Sequence, residues 1–115
     1  MRRLVFCSVL LLAACQGKTP PQKDWRAAAV ESAEVKIRSD IADPQAQFSR
    51  VALTGDEAHG QTCGQVMASN GQPGRFIVYI DGDGPFIEGV GPSPMDHDEF
   101  ASHWYNDCVS EGYSP

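Results

Sequence analysis

The segment Leu12-Ala13-Ala14-Cys15 follows a basic start, Arg2-Arg3, and a short apolar run from Leu4 to Leu12. Charge, apolar stretch, small residues and cysteine in that order have the form of a lipobox, where a secreted chain is cut and acylated. The consequence for folding is large. Residues 1–14 are expected to leave as a signal peptide, taking Cys7 with them, and Cys15 is expected to be the lipidation site. Of four cysteines, only Cys63 and Cys108 then remain. In an oxidising compartment a single leftover pair defaults to a disulfide. Closing a loop of that length should add about 4 kcal/mol, a large share for a domain with room for one modest core.

Other readings of the N-terminus fit less well. The apolar run is about half the ~20 residues needed to cross a bilayer, and Gln16-Gly17-Lys18 ends it. A plain secretory signal needs no cysteine at the first mature position. Diacylglycerol on the thiol and a further palmitate-type chain on the amine would give a durable membrane anchor, since each buried CH₂ adds ~0.8 kcal/mol. Gln16 in place of Asp after the cysteine matches outer-membrane sorting. The expected location is the cell envelope, lipid-anchored to the outer membrane and facing the periplasm. Residues 15–24, with Pro20-Pro21, read as an extended tether, and residues 25–115 as a single domain.

Loss of Arg2 and Arg3 leaves seven bases against fifteen acids, a net charge of about −8 with neutral histidine. From Asp56 onward there are ten acids and one base, Arg75, whereas Lys18 to Arg50 holds six bases and five acids. An acidic distal half disfavours nucleic acid and anionic lipid, and attracts a basic protein. The expected partners are therefore the membrane, through Cys15, and a basic envelope protein, with no nucleic acid.

The local patterns read as helix, sheet, helix. Asp24 suits an N-cap, and Trp25 to Ile41 places Val30, Ala33, Ile37 and Ile41 on one stripe. Glu34 and Arg38 are spaced for an i,i+4 ion pair. Asp43-Pro44 ends that helix and starts a short turn. Strands are expected at Arg50 to Thr54, Gln61 to Ala68, Arg75 to Ile80 and Phe86 to Val90, joined by turn-forming loops. The third is apolar on both faces, as a central strand is, while the covered face of the second is ambiguous. Asp96 and Glu99 make a capping-box-like pair, with Met95 positioned to staple Phe100. Phe100, Trp104 and Cys108 recur every fourth residue, and Gly112 stops the helix. The expected fold is α+β: an antiparallel sheet of three to four strands with both helices on one face and a Cys63–Cys108 staple.

Asp43-Pro44-Gln45-Ala46-Gln47-Phe48-Ser49-Arg50-Val51, Cys63-Gly64-Gln65-Val66, Ala68-Ser69-Asn70 and Arg75-Phe76-Ile77 together resemble a family of small bacterial envelope proteins. Those proteins carry an Asp-Pro, Phe, Val segment followed by Cys-Gly-x-Val, Asn-x-x-Gly and an aromatic strand. The likeness spans about Ala33 to Tyr79. It implies one α+β domain and, since the family has no established activity, no catalytic residue.

Candidate chemistry is sparse. Asp81-Gly82-Asp83-Gly84 starts like an EF-hand loop, but the fifth and twelfth positions are Pro85 and Pro92 where ligands are needed, so a tight acidic turn is expected. His59, His97 and His103 lack zinc-site spacing once the thiols are oxidised. Asp96, His97, Asp98 and Glu99 suit a helix N-terminus and its dipole. No Gly-x-Ser-x-Gly elbow, phosphate loop or dinucleotide motif occurs. The expectation is a non-enzymatic binding module with no cofactor and no metal site. Its partner-binding surface would comprise Asp81, Asp83, Asp96, Asp98 and Glu99. Two alternatives are an inhibitor of a basic envelope hydrolase and a weak hydrolase using carboxylates around His97.

Overall fold

The computed structural model describes residues 24–115. The expected signal peptide, Cys15 and residues 15–23 of the tether lie outside the described residues. No described helix is long and apolar enough to cross a membrane.

Asp24 caps the first helix, α1 (Trp25–Asp40), by accepting from the Arg26 N–H. Ala33, Ile37 and Ile41 are buried and Val30 is half-buried. The helix ends in a Schellman motif: the Ala42 N–H donates to Ser39 O and the Asp43 N–H to Arg38 O. Ala42 therefore occupies the left-handed position, at φ 55°, that glycine normally fills. Arg38 does not pair with Glu34 as its spacing suggested. Its Nε donates to Ala46 O at 3.1 Å and its guanidinium lies 4.8 Å from the Phe48 ring centroid, because the chain doubles back across the end of the helix. Asp43 holds that return. Its carboxylate accepts from the backbone N–H groups of Ser69 and Gln45 at 2.7 and 3.1 Å, and the Ser69 bond above all holds its pKa below the usual range.

Four strands follow, β1 (Gln47–Thr54), β2 (Gln61–Met67), β3 (Pro73–Tyr79) and β4 (Phe86–Ile87), in an antiparallel sheet of order β1-β2-β3-β4. β1 begins three residues before its expected start. It is continued across a bulge where Arg50 and Val51 oppose Gly64, and Arg50 takes φ 52°. The extra residue restores Val51 to the face that Phe48 occupies, so both pack in one cluster. The β2–β3 connection is a turn with Gly71 at φ 88°; Gly71 N–H donates to Ala68 O, and Ala68 N–H to Gln72 O. β4 stops after two residues, shorter than expected, since Gly89 turns left-handed at φ 75°. Glu88 then pairs in parallel with Met95.

The C-terminal helix, α2 (His97–Trp104), continues as a π turn over Tyr105–Val109. Asp96 caps it through the N–H groups of Asp98 and Glu99 at 3.1 and 3.3 Å. A strict four-residue repeat drifts by about 40° per step on a 3.6-residue helix, and the wider π turn takes up that drift. Phe100, Trp104 and Cys108 thus all reach the core. Gly112, at φ 97°, closes a second Schellman motif, with Tyr113 N–H donating to Cys108 O.

The expectation that both helices share one face is corrected. α1 packs with Val66, Phe76, Val78 and Ile87. Phe100, Trp104 and Cys108 pack with Cys63, Ile77, Tyr79 and Phe86 on the other side. Adjacent residues of β3 alternate between the two clusters, so the layers run helix, sheet, helix. The cause is visible in β3 itself: a strand apolar on both faces needs both faces covered. β2 resolves likewise, Val66 facing α1 and Cys63 facing α2. Cys63 and Cys108 are joined, with their Cα atoms 6.2 Å apart and both side chains fully buried.

Candidate functional site

The five acids expected to form one partner surface fall into two groups. Asp81 and Asp83 lie in the exposed β3–β4 loop, where the Asp83 N–H donates to Asp81 Oδ1 at 3.1 Å. Their charges bear on Tyr79, beside the end of the C-terminal helix. Asp96, Asp98 and Glu99 lie at the start of that helix, exposed; the eleven-residue step from Asp96 to Asp107 covers roughly 16 Å at 1.5 Å per residue. Asp96 is committed to its cap, while Asp98 and Glu99 complement the helix dipole.

Beside the second group, at the end of the β3–β4 pair away from the Asp81–Asp83 loop, lies a cluster that sequence reasoning missed. Arg75 Nε and Nη2 each donate to a Glu88 oxygen at 2.7 Å, in a two-pronged pair. His97 Nδ1 approaches Glu88 Oε2 to 2.6 Å. The guanidinium also faces the rings of Phe100 and Trp104, 5.2 and 5.0 Å from their centroids. The Arg75 hydrogen bonds hold the Glu88 carboxyl below the ordinary glutamate range, against a smaller opposing effect of burial. Arg75 is in turn held more firmly protonated, chiefly by the Glu88 bond. Arg75 was conspicuous as the single base of the distal half, but its partner depends on the β3–β4 register, which brings Glu88 N–H onto Arg75 O at 2.9 Å. Beside the pair a cleft of about 290 Å³ is lined by Ser49, Gln65, Met67 and Pro73. The guanidinium fork is already filled by Glu88, so the pair acts as a clamp that holds the start of α2 against the sheet.

A second polar cluster surrounds the π turn. Asp107 O accepts from Thr54 Oγ1 at 2.8 Å and from Gln61 Nε2 at 2.6 Å. Both side chains are buried, and they satisfy a carbonyl near the helix end. The Tyr79 hydroxyl donates to Asp107 Oδ2, and His103 Nδ1 lies 3.7 Å from the same oxygen while its ring packs on Phe86. Burial first, and then the Asp107 bond, push the Tyr79 pKa well above the ordinary tyrosine value. Tyrosine, histidine and aspartate in contact are groups that serve acid–base chemistry elsewhere. Here the tyrosine is held as a neutral donor, and the aspartate ties the π turn to β1, β2 and β3.

The carboxylates envisaged around His97 do not converge on it: its partner is Glu88, not Asp98 or Glu99. His59 sits apart, against Asp56. Among the described residues no three His, Cys, Asp or Glu side chains are grouped to hold a metal ion. No protein-family model, curated protein or solved structure matches the chain.

Proposed function

We propose that this protein is a lipid-anchored module of the cell envelope that works by binding rather than turnover, its partner a basic envelope protein. One observation carries the reading. Arg75, the single Lys or Arg from Asp56 onward, is spent on Glu88. Of the ten acids in that stretch, eight are exposed: Asp56, Glu57, Asp81, Asp83, Asp96, Asp98, Glu99 and Glu111. The distal surface thus carries negative charge without a basic residue of its own segment to offset it, the arrangement that steers a cationic partner. The two acidic groups at either end of the C-terminal helix give such a partner two contact points. The lipobox at Cys15 supports attachment at the outer membrane, facing the periplasm. The resemblance to small envelope proteins rests on segments that here build turns, strands and the staple, and fits a role without catalysis.

Crosslinking in intact cells followed by mass spectrometry tests the reading. A reproducible partner linked near Asp81 and Asp83 or near Asp96 to Glu99, weakened by Asp81→Lys/Asp83→Lys and by raised salt, is the expected result. No reproducible partner, together with turnover of an envelope substrate by purified protein, would sink it. Cys15→Ser should release the protein from the membrane fraction; retention there, acylated as before, would refute the anchor.

A further inference from the structure

We propose that the cavity between α1 and the sheet is a binding site for a small hydroxy acid, with Thr62, Ser32 and Lys36 as its polar contacts. The cavity, about 110 Å³, opens between α1 and the β2–β3 end of the sheet, walled by Ala29, Ala33 and Val78. Ala29 and Ala33 are one helical turn apart, and their small side chains leave the space.

Thr62 lines the cavity. It pairs with Val78 across β2–β3 and alternates with Cys63, so its side chain faces α1 as Val78 does. It is 1 % exposed, yet among the described residues its hydroxyl has no hydrogen-bond partner. Thr54 and Gln61, the other buried polar residues, are both bonded. A buried hydroxyl without a partner costs free energy, and a bound group that donates or accepts there removes the cost. A water beside the hydroxyl would find no second partner on the Ala29, Ala33 and Val78 side chains and would depend on the mouth for its other bonds, so a ligand bonded at both ends can displace it.

Charge at the mouth sets the ligand class. Lys36 is exposed and has no ion pair among the described residues. Ser32, also exposed, lies four residues before it and so on the same side of α1. An ammonium beside a hydroxyl suits a carboxylate. Size narrows the choice: the cavity is smaller than the ~150 Å³ apolar cavity that takes benzene. A short carboxylate at the mouth, with a hydroxyl reaching inward to Thr62, fits both ends.

The purified whole protein, isotopically labelled, should be titrated with sodium 3-hydroxybutyrate and, separately, sodium butyrate, following amide shifts at constant ionic strength. Saturable shifts are expected at Ala29, Ser32, Ala33, Thr62 and Val78, with 3-hydroxybutyrate binding several-fold tighter than butyrate. Lys36→Met should weaken both ligands roughly tenfold, while Thr62→Val should erase the preference and Thr62→Ser restore it. No saturable shift up to about 50 mM, beyond the millimolar range expected of so small a ligand, would overturn the proposal. Equal affinity for the two acids, or a preference that survives in Thr62→Val, would also overturn it.

Discussion

Removing the Cys63–Cys108 bond should be among the costliest single changes to the described residues of this protein. The bridge spans 45 residues, from β2 to the π turn, and encloses β3, β4 and α2. Loop-closure reasoning for a loop of that length gives about 4 kcal/mol of lost stabilisation. For a domain of 60–100 residues each kcal/mol moves the melting temperature by about 4–8 °C, so a drop of roughly 15–30 °C is expected. Because both side chains are fully buried, reductant reaches the bond only through an opened state. The comparison should therefore include the Cys63→Ala/Cys108→Ala variant beside the reduced and alkylated protein. Thermal and denaturant unfolding by circular dichroism give the difference. Intact mass after alkylation in denaturant without reductant shows whether the bond exists in protein from an oxidising compartment. Two alkylated thiols would refute the bridge. A stability difference under about 1 kcal/mol with the bridge present would refute the reasoning that loop closure holds the second helix in place.

Ala42→Gly should stabilise the protein by about 1 kcal/mol, since Ala42 sits at φ 55° in a Schellman motif where a Cβ is penalised; an unchanged or lower denaturation midpoint would contradict this. Gly74→Ala should destabilise by roughly 1–3 kcal/mol, because a Cβ there would lie 2.1 Å from the Glu88 carbonyl oxygen, and wild-type stability in the variant would rule out that contact. The Arg75–Glu88 pair should add acid sensitivity. The folded pKa of Glu88 is depressed, so its contribution is present above the unfolded value of about 4.3 and is lost as pH falls through the lower folded value. Arg75→Met should lower stability at pH 7 by about 2 kcal/mol and flatten the fall in acid; unfolding curves between pH 7 and 2.5 that match wild type in slope would count against it.

Local chemistry in the sequence determined the elements. Asp24 and Asp96 mark both helix starts, and Gly112 marks the second stop. The four-residue repeat of Phe100, Trp104 and Cys108 names the buried stripe, and Cys63 and Cys108, the two cysteines among the described residues, name the bridge. Those signals act within a few residues of themselves, through capping bonds, turn dihedrals and side-chain spacing, so they are legible one segment at a time. What only the tertiary structure decided is which surfaces meet. Val66 and Cys63 are apolar on opposite sides of β2, and β3 is apolar on both, a pattern that one-sided or two-sided covering can answer. Packing answered it with a helix on each face, because Phe76 and Val78 need burial as much as Ile77 does. The bulge at Arg50 altered which residues of β1 face α1, and the partnering of Arg75 with Glu88 and His97 came from register alone. The unpartnered hydroxyl of Thr62 was equally out of sight: a threonine in a strand reads as ordinary until the helix opposite it proves to carry alanines, and a space is left between them.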